Sequence, residues 1–135
     1  VKCVINLENY FKDYTSKILW KKTSALAQVI PYILSDYFPE LSVLHLDKKN
    51  LVCLEDFQGN RWKVWCSRDN TFDISPSLTK GFGRSKEGTD ILSDAKENYS
   101  GCIFINLKDV YSVKLWFKDW RSLEVSEKGK VFLDE

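Results

Sequence analysis

Gln58-Gly59-Asn60, set between NLVCLEDF and RWKVWC, constrains the fold of this chain more than any other segment. In RWKVWC, Trp62, Val64 and Cys66 alternate with Arg61, Lys63 and Trp65, the period-two pattern of a strand with two distinct faces. A glycine-centred connection between two such stretches reverses the chain, so residues 51–66 are expected to form a β-hairpin. SVLHLD supplies another short apolar stretch before it, separated by KKN. Further on, GCIFINL and VYSVKLWF are joined across Lys108 and Asp109, and Tyr111, Val113, Leu115 and Phe117 alternate with Ser112, Lys114 and Trp116. SLEV and KVFL flank EKG and are expected to be a last strand pair.

The N-terminal part is less regular. VKCVINL suits a strand, whereas Tyr10, Phe11 and Tyr14 have helix-compatible spacing. Pro31 interrupts the apolar patch ALAQVIPYILSDYF, and a proline lacks the donor that a helix interior uses. The expectation is therefore a short helix, Pro31–Phe38, that begins at the proline and is ended by Pro39, rather than one continuous long helix. Residues 67–100 read as a long polar connection, anchored by Leu78 and Phe82, with a short turn or helix at Asp94–Asn98. Six to eight strands with one or two short helices give a chain that is mainly β with short helices. So many strands favour a small barrel or a strongly curved sheet, because an open sheet leaves edges to cover.

The 135 residues suit a single domain, 1–135, and a 44% hydrophobic composition with five Trp, eight Phe and six Tyr can build a core without a metal or disulfide staple. Twenty basic against nineteen acidic side chains leave a net charge of +1, which argues against a strong general attraction to polyanions. The one local excess is Lys12, Lys17, Lys21 and Lys22, interrupted by Asp13 alone. Cys3, Cys53, Cys66 and Cys102 form no CxxC pair and read as buried thiols, with an extracellular two-disulfide arrangement as the alternative. No secretory leader opens the sequence and no apolar run reaches the ~18 residues needed to cross a bilayer, so no membrane association is expected. The absence of Met suggests a fragment or processed product.

Chemistry-bearing motifs are sparse. His45 is the single histidine and reads as a strand residue; HxxxH, HExxH and CxxC are all absent. Glu55-Asp56 followed by Arg61 and Lys63 superficially resembles the carboxylate-then-lysine arrangement of some nucleases, although a turn-facing acidic pair beside a basic strand accounts for it. No catalytic residue, metal ligand or cofactor is assigned, and an enzyme is not expected. Trp62, Trp65, Tyr111 and Trp116 suit a core better than a stacking platform.

The order YFKDY, VIPYILSDYFPEL, NLVCLEDFQGNRWKVWC, SLTKGFG and SGCIFINLKDVYSVKLWF resembles a plant B3 DNA-binding domain, in particular its divergent reproductive-meristem branch. The resemblance covers about residues 10–117, leaving a C-terminal extension. Phe82 stands where that family usually has Trp, and Ser100-Gly101 where it has Gly-Asp. The resemblance implies a seven-stranded open β-pseudobarrel that enters the DNA major groove with two loop arms. Carried over, the first arm holds Thr15, Ser16, Lys17, Lys21 and Lys22. The second holds Ser67, Arg68, Asp69 and Asn70, with Arg61 and Lys63 nearby. Lysines and arginines would neutralise phosphates, and Arg68 and Asn70 would pair with base edges. The implied function is sequence-sensitive binding of double-stranded DNA by part of a nuclear transcription regulator, with regulatory proteins as further partners. The alternatives are a protein-recognition or structural β-domain and, with less support, a metal-dependent nuclease. Oligomeric state is not readable.

Overall fold

A computed structural model describes residues 2–46, 51–74 and 99–133. Eight strands are present among them: β1 (Lys2–Ile5), β2 (Ser42–Leu46), β3 (Leu51–Glu55), β4 (Arg61–Ser67), β5 (Thr71–Asp73), β6 (Gly101–Asn106), β7 (Val113–Asp119) and β8 (Lys130–Phe132). Two helices, α1 (Tyr14–Trp20) and α2 (Thr23–Tyr37), lie between β1 and β2. The expected contributions of Leu78, Phe82 and Asp94–Asn98 fall outside the described residues.

Six strands form one sheet in the order β1-β7-β6-β4-β3-β2, and β5 pairs with β8 separately. The result is a mixed α/β fold whose main sheet is not closed. The 51–66 hairpin is present as expected, with Leu54 opposite Trp62 and Glu55 opposite Arg61. β6 and β7 also pair as an antiparallel unit. β4 and β6 run parallel, with Trp62 beside Gly101 and Ser67 beside Asn106.

Side-chain alternation places a core on each face of the sheet. Leu54, Ile103, Ile105, Val113 and Leu115 meet Leu26, Ile30 and Leu34 of α2 on one face. On the other, Cys53, Trp65, Cys102, Phe104 and Trp116 meet Phe72 of β5 and Val131 of β8. Every residue of β6 is buried, as a central strand covered on both sides requires. Trp65 and Trp116 are core residues, whereas Tyr111 remains exposed. All four cysteines are free thiols, and burial pushes Cys66 and Cys102 up to about 12, far from reactive thiolates. His45 is on the surface, its Nε2 3.2 Å from the Tyr32 hydroxyl.

Two expectations are corrected. Pro31 neither starts nor ends a helix but lies inside α2, which begins at Thr23. The missing hydrogen bond costs about 3 kcal/mol. Leu26, Ile30 and Leu34, each fully buried, offset it at roughly 1.5–3 kcal/mol apiece. Their i, i+4 spacing runs straight through the proline, which is itself buried on the same face. The second correction concerns SLEV, which is not a strand. KVF pairs with Thr71–Asp73 instead, where Phe72 faces Val131, so the chain end closes the second core rather than folding on itself.

Asp56 organises the β3–β4 turn. Its Oδ1 accepts from the backbone N–H groups of Gln58 and Asn60, both at 2.9 Å, and its Oδ2 accepts from Asn60 Nδ2 at 3.1 Å and Trp62 Nε1 at 3.2 Å. Gly59 has φ 83°, a left-handed conformation that glycine adopts without strain. Burial acts against the ionised carboxylate, but the Asn60, Trp62 and Gln58 donors outweigh it and hold Asp56 below 3.8. With the folded value depressed, this stabilisation is present above the unfolded value and is lost as pH falls through the folded one. Asp56→Asn is thus expected to destabilise the domain by about 1 kcal/mol at neutral pH and to lose that deficit as pH falls below the usual carboxylate range, checked by urea unfolding across pH.

Candidate nucleic-acid interface

The strand directions bring distant segments to one end of the sheet. β4 and β6 are parallel, so both finish there, and β7 starts there. β1 pairs antiparallel with β7, Ile5 opposite Val113, and therefore also ends there, leading into α1. The end is closed by backbone hydrogen bonds from Leu7 N–H to the Val110 carbonyl at 2.9 Å and from Leu107 N–H to the Ser67 carbonyl at 2.7 Å. The two segments expected to be arms thus lie against each other.

Arg68 joins them. Its guanidinium stacks over the Trp20 ring, 5.3 Å from the centroid. Its nitrogens donate to the carbonyls of Trp20 and Leu107, the latter at 2.7 Å, and to the Thr23 hydroxyl at 3.2 Å. Trp20 also meets the Phe11 ring edge-on at 4.9 Å. Arg68 is therefore a clamp between the α1–α2 junction and the strand ends rather than a free probe.

The rest of the 67–70 segment also bonds internally. The Ser67 hydroxyl is 2.8 Å from the Thr71 carbonyl, and Asp69 accepts the Thr71 N–H at 2.8 Å. That N–H, then the Ser67 hydroxyl, holds the Asp69 carboxyl below its usual range. Asn70 Oδ1 accepts from Asn106 Nδ2 at 2.7 Å.

The first expected arm is not a loop. Thr15, Ser16 and Lys17 occupy α1, where Asp13 accepts the Ser16 N–H at 2.7 Å as an N-terminal cap, a bond that lowers its own pKa. Lys21 and Lys22 occupy the two-residue junction between the helices. Lys12, Lys17, Lys21, Lys22 and, from the β6–β7 connection, Lys108 are all exposed. Glu8, Asp13, Asp69 and Asp109 lie in the same segments; Asp109 accepts the Tyr111 N–H at 2.9 Å.

Two proposed residues are not part of this end. Arg61 begins β4 and lies 3.7 Å from Glu55. At about 3.3 Å per residue, the length of β4 puts it roughly 20 Å from Arg68. Lys63 is half-buried on the β5–β8 side of the sheet, 5.6 Å from the Trp65 ring centroid, and burial lowers its pKa. Asp56 serves the turn and Glu55 pairs with Arg61, and among the described residues no three His, Cys, Asp or Glu side chains cluster to hold a metal ion.

Beside α1 the same end contains a cleft of about 390 Å³ lined by Glu8, Phe11, Lys12, Lys17, Trp20, Lys21, Val110 and Tyr111. The lysine cluster is legible in the sequence, but this recess is not. Phe11 and Trp20 reach it from the α1 region, whereas Val110 and Tyr111 come from ninety residues away and are brought beside them by the β1–β7 pairing and the Leu7–Val110 hydrogen bond. No described helix is long and apolar enough to span a membrane. Comparison of the chain with protein-family models, curated proteins and solved structures finds no match.

Proposed function

We propose that this chain binds double-stranded DNA through the lysine-bearing end of its sheet, as the recognition part of a nuclear transcription regulator. The observation that carries this reading is the Arg68–Trp20 clamp, which fixes the two motif segments at one end beside Lys17, Lys21 and Lys22. The B3 likeness of those segments belongs to the same reading, as does the description of the open sheet as a seven-stranded pseudobarrel. Within it, Lys17, Lys21 and Lys22 neutralise phosphates, and specificity falls to exposed groups such as Thr15 rather than to Arg68.

Fluorescence anisotropy with a randomised duplex library at several salt concentrations tests the proposal. Binding should weaken with salt, and the retained fraction should be enriched in one motif. Lys17→Glu combined with Lys21→Glu should flatten the plot of log affinity against log salt by about 0.9 for each phosphate that is no longer neutralised. A chain that retains no duplex even at low salt would end this reading.

Phe57 favours a second one, protein recognition. It is 85% exposed in the β3–β4 turn, at the end of the sheet away from the lysines.

A further inference from the structure

The cleft beside α1 has a shape and chemistry that duplex phosphates alone do not use. Phe11, Trp20 and Val110 supply apolar wall, and Tyr111 stands at the opening with 57% of its surface exposed. Three ammonium groups, those of Lys12, Lys17 and Lys21, surround it against the single carboxylate of Glu8. Its volume of about 390 Å³ falls within the roughly 300–1,000 Å³ of small-ligand sites. Bases inside a duplex are stacked and show only their edges, so a concave aromatic recess cannot reach their faces. An unpaired base offers its whole π-face, and its own phosphate lies within reach of the surrounding cations.

We infer that this cleft holds one unpaired nucleotide, its base against Tyr111 and the apolar wall and its phosphate among Lys12, Lys17 and Lys21. The inference rests on the reading of this end as a nucleic-acid interface and names the form of nucleic acid that it prefers. Arg68 already covers the Trp20 ring, which leaves Tyr111 as the stacking partner.

Three labelled probes test it by anisotropy at one salt concentration: a blunt duplex, the same duplex with one unpaired nucleotide, and a single strand. The unpaired nucleotide should improve affinity about tenfold over the blunt duplex, the scale of one base–aromatic stack. Tyr111→Ala should abolish that margin without changing blunt-duplex binding or the melting temperature, and Tyr111→Phe should retain it. Lys17→Glu should weaken all three probes. Equal affinity for the first two probes, indifferent to Tyr111→Ala, would overturn the inference and leave duplex recognition standing. A single strand bound with the Tyr111 dependence while the blunt duplex is ignored would do the reverse. Binding of none of the probes would overturn both.

Discussion

Replacing Gly101 by alanine should destabilise the domain by about 3 kcal/mol, the upper end of what overpacking usually costs. A methyl group there would collide with the Lys118 carbonyl oxygen and come within 2.8 Å of the Asp119 Cα, both backbone atoms. The third neighbour, Trp62 Cζ3 at 3.0 Å, belongs to a ring that can shift, but the paired strand cannot. Gly101 opens β6 between Trp62 of β4 and Asp119 of β7, so relief requires parting the two central ladders. Urea unfolding should show a lower midpoint with little change in slope. A loss under about 1 kcal/mol, below the usual overpacking range, would mean that β7 can move away without cost.

Arg68→Ala should cost a similar amount, about 3 kcal/mol. The substitution removes three hydrogen bonds from a charged donor and a ring stack, and leaves the Trp20 and Leu107 carbonyls without that partner. A hydrogen bond to a charged group contributes about 1.5–3 kcal/mol, and the cation–π contact adds about 0.5–1. The sum is discounted because Arg68 is partly exposed and water can replace some of these bonds. Arg68→Lys should recover little, since one ammonium cannot span carbonyls on two segments while lying flat on an indole. A surface base-contacting arginine would behave differently, with stability within about 0.5 kcal/mol of the wild type and all the loss in binding. Measuring stability and duplex affinity on the same variant separates the two roles.

The sequence made the sheet legible where alternation was local. RWKVWC is a strand throughout, GCIFIN holds a continuous apolar run and forms β6, and VYSVKLWF is a strand only from Val113 onward, so each strand core is readable from its own residues without distant information. Pro31 misleads because a rule about one hydrogen bond is outranked by an apolar stripe, Leu26, Ile30 and Leu34, that continues past it. SLEV misleads because a local turn looks like a hairpin, whereas KVF finds its partner nearly sixty residues upstream in Thr71–Asp73. The site divides in the same way. Lysine clustering is a linear feature and is visible. The inward turn of Arg68 is not, because it depends on the Trp20 carbonyl arriving from 48 residues earlier.

The β1–β7 ladder also imposes a timetable on synthesis. Lys2 pairs with Trp116, so β1 must wait for β7, more than a hundred residues later in the sequence, before it has this neighbour. At about 5–20 residues per second, the interval is roughly 6–23 s. Until then Cys3 and Ile5 have no ladder to join, and the wall of the cleft that Val110 and Tyr111 provide does not exist. The lysine-bearing end of this protein is therefore assembled late, after the hairpin at Gly59 has had ample time to form.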